Sequence, residues 1–157
     1  LASPSGASTV VLFNRVGQTS SNPFGYGDRG FNVTFDNAAP NDIHLYQNYS
    51  PGFSSSGQLL GTWQPDGRPL DSANPYAVPG TTRTSSLDQF LNQNPNGQWK
   101  LFIADLSSGG QSTVVSWGMQ ITAVPEPKGW GIWTALGLTG LFIYKRRHRG
   151  AQAQVLR

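Results

Sequence analysis

Apolar and polar positions alternate with a period of two along much of residues 1–123. Phe31, Val33 and Phe35 alternate with Asn32, Thr34 and Asp36, the pattern of a strand with one face against a core. Residues 98–105 set Trp99, Leu101 and Ile103 on one face and Gln98, Lys100, Phe102 and Ala104 on the other. Residues 113–122 do the same with Val115, Trp117, Met119 and Ile121 against Ser116, Gly118, Gln120 and Thr122. With residues 106–112 and their Gly109-Gly110 pair between them, the two segments read as a β-hairpin with a longer loop, Trp99 and Trp117 meeting across the sheet as core residues. The continuous apolar run 10–13 predicts a central strand covered on both faces, and 59–63 predicts a further strand. His44 falls in another strand-like stretch.

One segment before residue 123 has helical spacing. Ser86-Leu87-Asp88-Gln89 is laid out as a capping box, with Leu87, Phe90 and Leu91 on one side of a single turn. Asn94-Pro95-Asn96-Gly97 ends it, and the turn is expected to plug one end of the fold. Residues 48–56 and 64–84 are predicted loops, broken by Pro51, Pro65, Pro69, Pro75 and Pro79.

The pattern changes after Ala123. Val124-Pro125-Glu126-Pro127 is followed by sixteen uncharged, mostly apolar residues, 129–144, and then by Lys145-Arg146-Arg147-His148-Arg149. As a helix the apolar run is roughly 24 Å long, short of a ~30 Å hydrocarbon core. Lys128 and Lys145 can snorkel outward, Trp130, Trp133 and Tyr144 suit the interfaces, and local thinning of the bilayer covers the rest. The competing reading is a buried core helix, but the run has no amphipathic stripe to dock with. By the positive-inside rule, Lys145, Arg146, Arg147 and Arg149 stay cytoplasmic and residues 1–123 lie outside.

This tail resembles the PEP-CTERM sorting signal of bacterial exported proteins. The resemblance implies that Pro125, Glu126 and Pro127 are read by an exosortase, a membrane-embedded cysteine transpeptidase, and that exopolysaccharide is a possible neighbour. Physically, the two prolines keep the segment extended and Glu126 marks it with a charge. A plain single-span anchor with a Pro-rich stalk is the alternative.

Charge separates with the tail. The chain has a formal net charge of +3, but residues 1–123 carry five basic and seven acidic residues. Their arginines and single lysine are scattered, which argues against nucleic-acid binding. The tail cluster suits anionic lipid. There is no cysteine, so neither disulfides nor thiolate metal sites are available and burial must hold the fold. The Gly-, Pro-, Ser- and Asn-rich, weakly charged composition fits an extracellular, loop-rich β domain.

A second resemblance spans nearly all of residues 1–123: the P domain that follows the catalytic domain of kexin-like and subtilisin-like proprotein convertases. Its anchors run in order from Leu1 with Ser3-Pro4-Ser5-Gly6 and Val10-Val11-Leu12-Phe13, through Val33 to Ala39 and Gly61-Thr62-Trp63-Gln64-Pro65-Asp66-Gly67. They continue with Leu87 and Phe90, Asn96-Gly97-Gln98-Trp99-Lys100-Leu101, Asp105 and Ser116-Trp117. It implies an all-β, jelly-roll-like antiparallel β-sandwich. With the tail, the expected layout is a P-domain-like sandwich over 1–123, a linker at 124–128, one transmembrane helix at 129–144 and a basic cytoplasmic tail at 145–157. The chain opens at Leu1 without a secretory leader, and family members have further strands before the matching segment, so the domain is expected to be N-terminally incomplete, with an unpaired edge.

No catalytic constellation is legible. The two histidines, His44 and His148, stand apart, and no nucleophile elbow, phosphate loop or paired metal-ligand spacing occurs. Calcium is the one cofactor considered, with Asp36 the best single ligand among isolated aspartates. Trp63 is read as core filling in preference to sugar stacking. Two functions are open. One is a noncatalytic, exported cell-surface or matrix module processed by an exosortase. The other is the C-terminal P domain of a secreted serine endopeptidase whose catalytic domain lies upstream.

Overall fold

The regular elements belong to the middle of the chain. The computed structural model describes residues 1–71, 73–74, 77–105 and 111–122. The chain divides into a first unit, Leu1–Ser116, and a second that begins at Trp117. The first contains strand β1 (Phe31–Phe35), a 3-10 helix (Ile43–Tyr49), strand β2 (Leu59–Trp63) and a single 3-10 turn (Leu87–Phe90). Among the described residues irregular backbone is the most common state and helix is confined to two short 3-10 segments, in line with the expected β class.

β1 and β2 form where the alternation predicts them, but they pair in parallel, Phe31 opposite Leu59 and Phe35 opposite Trp63. The expected antiparallel arrangement does not hold for this pair. Parallel neighbours need a long crossover, and the connection from Asp36 to Gln58 supplies one by carrying the 3-10 helix across the sheet. Among the described residues this is a two-stranded sheet. Ile43, Tyr46, Leu59 and Trp63 make the core, with Phe13, Val16, Tyr26, Val33 and Phe35 packed against it. Trp63 is 7% exposed and donates its indole N–H to Leu60 O at 3.0 Å. It fills the core, as expected.

Three segments differ from their sequence reading. Residues 10–13 are not a strand. Val10 is buried and exchanges two hydrogen bonds with Leu1, both 2.8 Å, while Val11 and Leu12 carbonyls accept from Gly67 and Asp66 N–H groups at 2.9 Å. The apolar run is irregular backbone, with a bend at Leu12, whose polar groups a loop satisfies in place of a ladder. The hairpin is also absent from the described parts of 98–105 and 113–122. Lys100 alone bridges, to Ala2, and Phe102, Val115 and Trp117 are 79%, 89% and 50% exposed. Alternation marks which side chains share a face but does not supply a partner strand. Trp99 instead packs edge-on against Phe90, ring centroids 4.9 Å apart, and donates to Pro95 O at 3.0 Å.

His44 is the third difference. It lies in the 3-10 helix and not in a strand, because Asp42 caps that helix with its side chain accepting from His44 N; the predicted loop at 48–56 begins inside the same helix. Ser86 caps the second 3-10 turn, but its Oγ accepts from Asp88 N–H and Gln89 N–H donates to Ser86 O at 3.1 Å, so the expected capping box reduces to a simple N-cap. That turn buries no residue, and Leu91 is 65% exposed. It therefore leans on the fold through Phe90 and through Leu87 N–H to Asn37 Oδ1 at 3.2 Å, and plugs nothing. Among the described residues no helix is long and apolar enough to cross a membrane; the expected span 129–144 lies outside them.

Candidate functional site

The concentration of chemistry in the first unit is a buried charged cluster gathered by the Gln64-Pro65-Asp66-Gly67-Arg68 segment. Pro65 and Gly67 are turn formers, and the turn they make is gripped from three sides. Asp66 N–H and Gly67 N–H donate to Leu12 O and Val11 O, Gln64 exchanges backbone bonds with Asn41 and Ile43, and Gly67 O accepts from Thr84 and Ser85 N–H groups. Arg83 adds its guanidinium to Gln64 Oε1 at 2.6 Å, Pro65 O at 2.8 Å and Asp66 O at 3.2 Å.

The result places Asp66, fully buried, at the centre of four donors. Its Oδ2 accepts from His44 Nδ1 at 2.7 Å and Asn14 N–H at 3.1 Å, and its Oδ1 accepts from Arg68 Nη1 at 3.0 Å and Arg68 N–H at 3.4 Å. Arg68 reaches on to Asp42 at 3.3 and 3.4 Å. His44 completes its own pairing at Nε2, 3.0 Å from Gln18 O.

Both partners of the His44 ring are acceptors, a carboxylate and a main-chain carbonyl, so both ring nitrogens must carry hydrogen. The imidazole is therefore held as its cation. Burial opposes that charge, but the Asp66 hydrogen bond and charge and the Gln18 carbonyl outweigh it, with Arg68 opposing, and the His44 pKa is raised. Burial likewise works against the Asp66 carboxylate, yet His44 and Arg68 outweigh it and its pKa is lowered. Two cations face two carboxylates, and burial of the set is compensated because it is paired and hydrogen-bonded throughout.

Chemically the arrangement is a closed one. A His–Asp pair resembles half of a catalytic triad, but the place a nucleophile would take on Nε2 is held by Gln18 O, and His44 is 4% exposed. What the cluster does is tie segments around Asn14, Gln18, Asp42 and Asp66 to one another. Gly67 has φ +68°, and a Cβ there would overlap the Ser85 carbonyl oxygen. Gly67→Ala is expected to cost at least about 1–3 kcal/mol of stability, read as a lowered urea midpoint; an unchanged midpoint would mean the turn is not held as described.

Beside the cluster an open depression of about 390 Å³ is lined by Asn37, Gln64, Arg83, Ser85, Ser86 and Asp88, among others. Its one cation, Arg83, is already engaged as above, and the buried Asn37 Nδ2 has no partner.

Asp36, the calcium candidate, is exposed. It turns its Oδ1 back to Ala38 N–H at 2.8 Å, a local turn role. Among the described residues no group of three or more His, Cys, Asp or Glu side chains converges as a metal site. Pro125, Glu126, Pro127, Lys145, Arg146, Arg147 and Arg149 lie outside the described residues. The sequence reading missed the His44–Asp66–Arg68–Asp42 cluster. The available signal was turn chemistry at Pro65-Asp66-Gly67, and nothing there announces that the carboxylate is buried. Comparison with protein-family models, curated proteins and solved structures gives no match.

Proposed function

We propose that the chain is a noncatalytic, exported cell-surface or extracellular-matrix module. In this reading residues 1–123 are a jelly-roll-like β-sandwich, 129–144 cross the membrane as a helix, and an exosortase-type transpeptidase acts at Pro125-Glu126-Pro127. The observation that carries it is the order of the tail: a Pro-Glu-Pro motif, an apolar run and a basic cluster, in a chain whose other 123 residues are weakly acidic and cysteine-free. That order serves delivery across a membrane and retention by it, with the basic cluster fixing orientation. The closed state of the His44–Asp66 pair supports the noncatalytic part of the reading.

The test is the intact mass of the native protein from its own cells, with both termini sequenced. A compact product ending near Pro127 is expected. Retention of Arg157 in the mature protein would reduce the tail to a plain anchor, and a far larger product with additional N-terminal sequence would favour the P domain of a secreted serine endopeptidase.

A further inference from the structure

Three partly exposed aromatic rings share one rim of the first unit. Leu59 pairs with Phe31 on one side and bridges to Phe53 on the other. Residues opposite one another in a sheet project to the same face, and Leu59 projects into the core, so Phe31 and Phe53 flank it there. Both ring centroids stand 6.3 Å from that of Tyr46. Tyr49, three residues along the 3-10 helix and so on the same side of it, stands 6.4 Å from Trp63. The supporting rings are buried, Tyr46 at 1% exposed and Trp63 at 7%, while Phe31, Tyr49 and Phe53 keep 41%, 48% and 42% of their surface in solvent.

Polar groups are set among these rings. Asp28 accepts from the Tyr46 hydroxyl and from Gln47 Nε2 through the same oxygen, Oδ2, so none of the described residues donates to Oδ1. Gln47 and Arg29 are exposed beside it. Rings fixed by buried aromatic neighbours lose little freedom when a ligand covers them. A ligand matching this rim must offer flat C–H faces at ring spacing and hydroxyls between them. Polyphosphate is disfavoured by a unit with more acid than base, and a lipid surface by the Asp28 carboxylate at the rim.

We propose that this rim binds a neutral glycan chain, Phe31, Tyr49 and Phe53 stacking on the C–H faces of pyranose rings while Asp28 and Gln47 hydrogen-bond their hydroxyls. The proposal rests on the reading of the domain as a noncatalytic extracellular module, and its test is separate from the mass measurement, which bears on the tail alone. The full chain is run on native gels containing dextran, xyloglucan or galactomannan, with alginate as the polyanion.

Retardation by at least one neutral polysaccharide is expected, weakened roughly fivefold by Tyr49→Ala or Phe53→Ala. Gln47→Ala, an exposed amide whose loss leaves the core intact, weakens it as well. Phe24→Ala, at a ring 94% exposed and outside the rim, leaves it unchanged. No retardation by any neutral polysaccharide, retardation by alginate alone, or retardation indifferent to the three rim variants overturns the proposal.

Discussion

Asp66→Asn is expected to lower the free energy of unfolding by about 3–5 kcal/mol, the usual cost of removing one partner from a buried ion pair. The carboxylate is 0% exposed and receives four hydrogen bonds, from His44, Arg68 twice and Asn14. An amide in its place keeps one acceptor and turns a donor toward an imidazolium or a guanidinium. Asp42, at 3.3 and 3.4 Å from Arg68, is then the remaining counter-charge for two buried cations, so His44 is driven to lose its proton. Against a typical domain stability of about 5–15 kcal/mol, this is a large fraction of the total and brings a domain at the low end of that range close to unfolding. Asp71→Asn is the control: an exposed carboxylate that caps Ala73 and Asn74 N–H groups at 3.1 Å and should cost less than about 1 kcal/mol. Urea denaturation decides it. An Asp66→Asn midpoint close to that of Asp71→Asn would mean that the four bonds do not hold the fold.

What the sequence made legible here was local. β1 and β2 were readable because alternation depends on neighbours two positions apart. The Ser86 cap was readable because an N-cap oxygen and the N–H it accepts from lie within one turn. The parallel pairing was not, since it depends on where the crossover from Asp36 to Gln58 takes the chain. Nor was the missing hairpin: Val115, Trp117, Met119 and Ile121 alternate faultlessly, yet alternation cannot supply a partner. The charged cluster is the extreme case. Asp42, His44, Asp66 and Arg68 sit at no motif spacing, and their meeting is decided by long-range backbone bonds from Val11 and Leu12 to the Asp66-Gly67 turn. The tail is the opposite situation. Its three parts are contiguous in sequence and need no tertiary information to be read.

Stability should pass through a plateau between roughly pH 4 and pH 6.5 and decline on both sides of it. On the alkaline side the group is His44, whose folded pKa is raised above its unfolded value. Its contribution is complete below the unfolded value and is lost as pH rises through the folded one, because the unfolded chain gives up the proton first. On the acid side the group is Asp66, whose folded pKa is lowered; its contribution is complete above the unfolded carboxylate range and is lost as pH falls through the folded value. One proton on each side limits the slope to about 1.4 kcal/mol per pH unit. Arg68, whose own pKa is raised, is the other charge acting on the imidazole and keeps its charge across the plateau. The measurement is the urea midpoint from pH 4 to pH 9 for the native chain and for His44→Gln, which removes the titrating ring while keeping an amide able to donate to Asp66 or Gln18 O. Titration elsewhere is common to both proteins and cancels in the difference. The native-minus-variant difference should be flat below about pH 6.5 and shrink above it. A difference that grows with pH would place a neutral imidazole in the core, and the Asp66 and Gln18 acceptors could not then both be satisfied.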